Sequence, residues 1–373
     1  MFLTKLNLIH FRNYKKLDIK LSPNINIFVG DNAQGKTNIL ESIYILAVTK
    51  SHRLGSEEHL IQFKEELAKI KGTVKKDVIS HNLEVDISAL NKKVFLNQTE
   101  IRKISDYITN LNVILFCPDD LEMIKGSPAN RRNVFNVEIS QFSKEYIQCY
   151  NEYNKLLKTR NEYLKQLQSI SKDDMYFEIL TSSLVDRAVF IYQARNDFLN
   201  YINQNIGDIF YHITMKKGLR VEYQPNIPLN SFDAQEIKKV LTKKLQDNYQ
   251  REVLQGTTLY GPHRDDFAFF LDNNDLKIFG SQGQSRLAVI TFKLSEIALF
   301  QEKTKTTPIL LLDDIFSEID RKKKNRLLRY IQNGIQTIIT TTDLKDINAR
   351  IIKDAKIFDV AGGIVTERVK SDE

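Results

Sequence analysis

The stretch that most constrains this chain is Gly30-Asp31-Asn32-Ala33-Gln34-Gly35-Lys36-Thr37, a complete G-x-x-x-x-G-K-T loop. Such a pattern has meaning only between a strand and a helix. Both are present. Ile25-Asn26-Ile27-Phe28-Val29 is a short apolar run of buried-strand type, and Ile39, Leu40, Ile43, Tyr44 and Ala47 recur at helical spacing behind the loop. In that order, backbone N–H groups at the helix start face a bound phosphate and the helix dipole adds positive potential. The expected cradle is Gly30, Asp31, Asn32, Ala33, Gln34, Gly35, Lys36, Thr37 and Asn38. Lys36 would reach the β- and γ-phosphates of ATP, and the Thr37 hydroxyl would hold Mg²⁺.

The 373 residues suffice for one large or two medium domains, and 42% hydrophobic with 27% charged residues is an ordinary globular composition. No apolar run approaches the ~20 residues that span a bilayer, so no membrane partner is expected. The opening residues alternate like a strand and lack the plan of a signal peptide. Cys117 and Cys149 are too few for a disulfide framework and are not in metal-ligand spacing. These features point to the cytoplasm. The net charge of +7 and pI near 9.0 suit an anionic polymer but attach to no particular site.

Along the chain, residues 1–118 read as strands around one helix. The character changes near Asp119, which can cap a short helix that Gly126-Ser127-Pro128 breaks. Two apolar stripes follow. One runs from Ile147 through Tyr153 and Leu157 to Leu167, the other from Phe177 through Leu184, Ile191 and Arg195 to Ile206, with a polar turn at 169–174 between them. Two such stripes predict an antiparallel helical hairpin. It forms either a projecting arm of roughly 40 Å, for about 26 residues at 1.5 Å each, or a compact helical subdomain. Residues 210–225 suggest a hairpin turning at Lys216-Lys217-Gly218. From Thr257 the α/β character returns. The expected organisation is therefore an α/β ATPase head built from residues 1–118 and 257–373, with a mainly helical domain, 119–256, inserted between its halves.

The second half of the nucleotide site lies at Pro308-Ile309-Leu310-Leu311-Leu312-Asp313-Asp314, a buried strand that ends in two carboxylates. A parallel strand delivers ligands at its C-terminal edge. Asp313 is the expected metal ligand, acting through water. Asp314 is the expected catalytic carboxylate, which orients or deprotonates the attacking water with Lys36 and Asp313 beside it. Most of the chain lies between Lys36 and Asp313, far more than a compact kinase or GTPase core requires. Gly280-Ser281-Gln282-Gly283-Gln284 opens another amphipathic helix. Taken with Ser317-Glu318-Ile319-Asp320, it looks like the signature and D-loop of the ABC-type ATPases. That likeness implies an ATP-sandwiched homodimer, in which Ser281, Gly283 and Gln284 of one chain cap the γ-phosphate held by the other.

Three further stretches narrow the class: Phe11-Arg12-Asn13-Tyr14; Pro118-Asp119-Asp120-Leu121 with Lys125-Gly126-Ser127-Pro128-Ala129-Asn130-Arg131-Arg132; and Tyr260-Gly261-Pro262-His263-Arg264-Asp265-Asp266. With the phosphate loop they closely resemble the bacterial RecF family of DNA replication and repair proteins, in order and over the whole chain. The resemblance implies an SMC-like ATPase head with a short arm, ATP-dependent dimerisation on double-stranded or gapped DNA, and slow DNA-stimulated hydrolysis. It also implies action with RecR and RecO in loading RecA. Arg12 and Asn13 carry over as nucleotide contacts. The chain departs from the family at Asn133-Val134-Phe135-Asn136, where a basic-aromatic-aliphatic-Asp run is usual, and at Ser285, where glutamine is usual. The second acid is Asp314, as expected of the family, where many ABC ATPases use glutamate; slow hydrolysis follows.

Candidates for DNA contact are Lys15, Lys16, Arg53, Arg131, Arg132, Lys216, Lys217, Arg220 and Lys322 to Lys324, each with a solvated surface charge as its alternative. Arg53 has a second alternative at the γ-phosphate, and Arg131 and Arg132 one as braces. No aromatic–basic platform stands out, which favours backbone contact with duplex over base readout, including at junctions of single and double strand. Two rival functions share parts of the pattern: the nucleotide-binding subunit of an ABC transporter, and a scaffold that binds ATP without hydrolysing it.

Overall fold

The computed structural model describes the chain except residues 54–56, 77, 169–173, 316–319, 332–333, 348 and 369–373. The polar turn of the helical hairpin, up to 173, and the D-loop stretch Ser317-Glu318-Ile319 therefore lie outside the described residues.

In chain order the elements begin with β1 (Phe2–Phe11), β2 (Tyr14–Lys20), β3 (Ile25–Val29), α1 (Lys36–Val48), β4 (Leu67–Lys76), β5 (Ile79–Ser88), β6 (Lys92–Leu96), β7 (Thr99–Glu100) and β8 (Val113–Phe116). There follow α2 (Glu122–Lys125), α3 (Pro128–Ser140), α4 (Lys144–Gln166), α5 (Asp174–Thr214), β9 (Leu219–Gln224), α6 (Ala234–Asp247), α7 (Tyr249–Gln255), β10 (Asp266–Leu271), β11 (Asn274–Asp275), α8 (Leu276–Phe279) and α9 (Gln282–Thr304). The chain closes with β12 (Ile309–Asp313), α10 (Arg321–Ile331), β13 (Thr337–Thr341), α11 (Ala349–Asp354), β14 (Lys356–Ala361) and β15 (Ile364–Glu367).

The chain forms two compact units. The first comprises residues 1–120, 209–215 and 290–373, and the second comprises 121–208 and 216–289. The C-terminal segment expected from 257 onward is thus divided at 289/290. Residues 257–289 belong with the helices because β10 pairs along its whole length with β9, from Asp266↔Gln224 to Leu271↔Leu219. The expected hairpin at 210–225 does not form. Ile206, Ile209, Phe210 and Ile213 continue the buried stripe of α5 to Thr214, so the helical period overrides the local β-like alternation.

The first unit holds two six-stranded sheets, in the orders β15-β14-β3-β13-β12-β8 and β2-β1-β4-β5-β6-β7. The first is parallel from β14 to β8, and its central strands β12 and β13 are buried at every residue, as a sheet covered on both faces requires. The second is antiparallel and alternates, with Ala68, Ile70 and Val74 inward on β4 and Leu83, Val85 and Ile87 inward on β5. Helix α1 packs on it where Gly72 interrupts β4, since a methyl there would lie 2.4 Å from Leu46 Cδ2. Ile39, Leu40, Ile43 and Leu46 on α1 are fully buried, at ~1.5–3 kcal/mol each. Gln336 ties β1 to the rest, its amide accepting from Leu3 N at 2.7 Å and donating to Leu3 O and Ser22 O.

In the second unit, α4 and α5 form the expected helical pair, packed against α7. Arg160 on α4 meets Glu252 on α7 at 2.8 Å, both fully buried, and Phe177 on α5 packs edge-on to Tyr249. Near the hairpin turn, Gln168 Nε2 still donates to Val253 O. Arg195, placed within the apolar stripe of α5, is buried on Asp265, Asn136 and the Pro262 carbonyl. Asp265 also accepts from Tyr223 OH and Asn226 N. Asn136, in the stretch that departs from the family pattern, accepts from Tyr146 OH at 2.6 Å as well.

Candidate functional site

Strand register creates the site. Phe28 on β3 pairs with Thr340 on β13, and Thr340 pairs with Asp313 on β12. The loop leaving β3 and the acids ending β12 therefore emerge on either side of one threonine. Thr340 Oγ1 donates to Asp313 Oδ1 at 2.7 Å, and Thr37 Oγ1 donates to the same oxygen at 2.9 Å. Lys36, Thr37 and Asp313, separated by most of the sequence, thus come together as expected.

The loop is built for close approach. Gly35 has φ +109°, a region that disfavours any side chain, and a methyl there would lie 2.5 Å from the Asn13 amide and 2.8 Å from Tyr14 OH. Tyr14 OH donates to Gly35 O, Asn13 Nδ2 donates to Gln34 O, and Gly362 N donates to Gln34 Oε1. Asp31, Asn32 and Ala33 are exposed at the rim. Lys36 folds back over the loop, its ammonium donating to Gly30 O at 2.5 Å and Asp31 O at 2.7 Å. Burial pushes that ammonium down from its ordinary pKa, while the carboxylates of Asp314, Asp313 and Asp31 oppose the shift. A cation held only by loop carbonyls can exchange them for the oxygens of an anion.

Thr37 and Asp313 supply hard oxygen donors less than 3 Å apart, a set that suits Mg²⁺ completed by phosphate oxygens and water. No group of three or more His, Cys, Asp or Glu side chains stands in metal-binding array among the described residues. Burial raises the Asp313 carboxyl above the usual range against the hydrogen bonds from Thr340 and Thr37. Asp314 follows with φ +47°, its N–H donating to Thr340 Oγ1 at 3.1 Å. Aspartate tolerates this left-handed conformation better than longer side chains do, which gives a backbone reason for the shorter acid here.

Glu41 was not anticipated. It lies on α1, is fully buried, and gathers the remaining polar groups. Arg12 forks onto it at 2.7 and 2.9 Å, Ser51 Oγ donates to it at 2.6 Å, and Arg53 approaches to 3.6 Å. Burial would raise its pKa, but the hydrogen bonds and charge of Arg12, with Ser51 and Arg53, hold it below the usual range. Asn38 accepts from Arg53 and donates to Asn13, so Arg12, Asn13, Asn38 and Arg53 form one rim beside the loop. A lone carboxylate in an otherwise apolar helix was the available signal.

Ser281, Gly283 and Gln284 lie in the second unit. Ser281 Oγ accepts from Gln284 N, and Gln284 Oε1 accepts from Ser281 N, a reciprocal cap on α9. Ser281 and Gly283 are exposed, and a methyl added at Gly283 meets nothing within 4 Å. Among the described residues, no packing requires glycine there.

Of the basic candidates, Lys15 and Lys16 on β2, Lys216 and Lys217, and Lys322 on α10 are exposed. Arg131 is buried in a two-pronged bond to Asp266, both contacts 2.7 Å, and so is removed from any DNA surface. Burial would raise the Asp266 carboxyl, but Arg131 holds it below the usual carboxylate range. Arg132 donates to Asp265 O, Arg220 pairs with Glu222, Lys323 pairs with Asp320, and Lys324 is buried.

Fold and site together define an ABC-type ATPase head. The family model for the RecF/RecN/SMC N-terminal domain matches residues 2–364. The chain belongs to that family, in its RecF branch. It is 41% identical to the DNA replication and repair protein RecF of Limosilactobacillus reuteri (strain DSM 20016), over 99% of this chain and all of the relative. It is 42% identical to RecF of Latilactobacillus sakei subsp. sakei (strain 23K), over 98% and 99%. Among solved structures, the recombination mediator protein RecF with ATP, of the RecFOR pathway, is 30% identical with TM-score 0.91, covering 99% of this chain and 98% of the other. An SMC head bound to the C-winged helix domain of ScpA shares the fold, at TM-score 0.55 and 17% identity over 100% and 98%.

Proposed function

We propose that this chain is an ATP-dependent DNA-binding recombinational repair protein, whose ATP-bound homodimer grips double-stranded or gapped DNA and whose slow, DNA-stimulated hydrolysis releases it. The observation that carries this reading is the convergence of Lys36, Thr37 and Asp313 on one phosphate cradle. The solved RecF relative with ATP supports the nucleotide.

In this reading the N–H groups of residues 30–37 bind the phosphates, and Lys36 exchanges its contacts to Gly30 O and Asp31 O for phosphate oxygens. Thr37 and Asp313 hold Mg²⁺, which would neutralise charge developing on the phosphates. Arg12 and Asn13 line the nucleotide, with Arg12 kept in place by Glu41. Asp314 orients the attacking water and takes its proton. Ser281, Gly283 and Gln284 of a second copy close over the γ-phosphate, in keeping with the open space beside Gly283. RecR with RecO are the partners in loading RecA, by the RecFOR pathway of the solved relative. No helix among the described residues is long and apolar enough to cross a membrane.

DNA affinity measured against salt, with and without ATP, on duplex, single-stranded and gapped substrates tests this reading. A steep salt slope with duplex or gapped DNA that requires ATP is expected, because a dimer doubles the phosphates contacted. Equal affinity and slope without nucleotide would remove the proposed coupling.

A further inference from the structure

The block running from Lys125 to Arg132 has no part in the nucleotide cradle, and Arg131 is unavailable to DNA. Its packing shows what it holds. Lys125, the last residue of α2, directs its ammonium at three carbonyls: Leu276 O at 2.9 Å, Lys277 O at 3.0 Å and Gly280 O at 3.1 Å. An ammonium has three donors, and all three are engaged on one short segment. That segment is α8 and the glycine immediately before Ser281. A helix end exposes unpaired carbonyls and partial negative charge, which a cation satisfies.

Apart from buried Leu276 at its start, the turn leading to Ser281 has an exposed outer face. α8 is a single turn, capped at its start by Asp275, which accepts from Lys277 N at 2.7 Å. Ile278 and Phe279 are both 69% exposed, so apolar burial does not anchor its outer face. Gly280 is forced by contact, since a methyl would sit 2.5 Å from Leu276 O, one of the carbonyls that Lys125 binds. The backbone on both sides of Lys125 is held by Arg131. Arg131 Nη1 donates to Ile124 O and to Gly126 O at 2.7 Å, on either side of Lys125, while the rest of its guanidinium forks onto Asp266 at the head of β10.

We propose that Lys125 is a positioning residue for the Ser281–Gln284 segment: it pins the turn ahead of Ser281 so that Ser281 and Gly283 are presented, preformed, to a second copy of the chain. This rests on the trans-signature reading above. Preorganisation matters here because a segment that had to be ordered on association would lose backbone freedom at that step, which a preformed turn avoids.

Full-length Lys125→Met and Lys125→Arg are compared with the parent by three measurements: hydrogen exchange over residues 276–284, affinity for a fluorescent ATP analogue at monomer concentrations, and ATP-driven self-association by light scattering. Lys125→Met is expected to raise exchange in that segment at least several-fold and weaken association about tenfold, with nucleotide affinity within twofold of the parent. Lys125→Arg, which keeps a charged donor, is expected to recover most of both. A merely structural loss would instead change exchange throughout 121–140 and 260–275 and lower the thermal midpoint. Parental exchange at 276–284 in Lys125→Met overturns the inference, as does unchanged association despite raised exchange. Gly283→Arg separates the two levels: if it leaves association intact, the trans-signature reading fails, and the exchange result still judges the contact made by Lys125.

Discussion

At the scale of single residues, the site gathers Lys36, Thr37 and Asp313 through hydrogen bonds to Thr340 and the loop carbonyls. Asp314 has the clearest test. Asparagine tolerates its left-handed backbone as aspartate does, so Asp314→Asn should fold normally, bind ATP and lose turnover by ~10²–10⁴-fold in a phosphate-release assay. Turnover unchanged in that variant would remove Asp314 from the chemistry. Gly35→Ala should fail differently. The new methyl meets the Asn13 amide and Tyr14 OH at φ +109°, so nucleotide affinity should fall at least tenfold and stability by more than about 1 kcal/mol. Lys36 and Asp313 were legible in the sequence because each sits in a short covalent pattern. Glu41 and Thr340 were not, since their importance comes from partners brought close only by the fold. For Arg131 the sequence leaves DNA contact, surface charge and brace open, and the two-pronged bond to Asp266 decides for the brace.

At the scale of elements, the buried polar networks of the second unit carry specific costs. Arg195→Met would leave Asp265 buried with Tyr223 and Asn226 but without its counter-charge, and should cost ~3–5 kcal/mol by urea unfolding. Parental stability would mean that Asp265 is held neutral. His263 gives a pH dependence. Its Nε2 faces Thr258 O at 3.1 Å and its Nδ1 faces Tyr153 OH at 2.6 Å. Burial lowers its pKa to about 4 from the ordinary 6.5, and Arg264, Arg132 and Arg195 push the same way against the Thr258 contact. Because the folded value is depressed, the neutral ring's contribution is complete above pH 6.5 and is lost as pH falls toward 4. The slope reaches about 1.4 kcal/mol per pH unit for this one proton. His52, lowered to about 4 by burial with Arg53, Lys293 and Arg12 adding to it against Glu41, adds to the same limb. His263→Gln should flatten stability against pH between 4 and 6.5; an unchanged slope would place the proton uptake elsewhere. The helices themselves were legible from period alone, but the end of α5 was not. Tyr211-His212-Ile213-Thr214 alternates like a strand, and only the neighbouring turns of buried Ile206 and Phe210 make it helix.

For the whole molecule, the sequence disclosed an α/β head whose two halves lie at opposite ends of the chain, with a helical block between. Residues 209–215 and 257–289 were misassigned because their allegiance is set by long-range pairing: β9 with β10 in one unit, and Arg326 Nη1 donating to Ile213 O in the other. The exposed Ser281 and Gly283, with open space where a side chain would go, leave one function unexplained within a single chain. In the proposed shared site, a second copy would supply it. Light scattering of the Asp314→Asn chain, with ATP and Mg²⁺ against no nucleotide, tests that claim most directly. The mass should rise from about 43.4 kDa toward twice that value with ATP, and Gly283→Arg should abolish the rise. A mass that stays at the monomer value with ATP saturating would contradict the shared site.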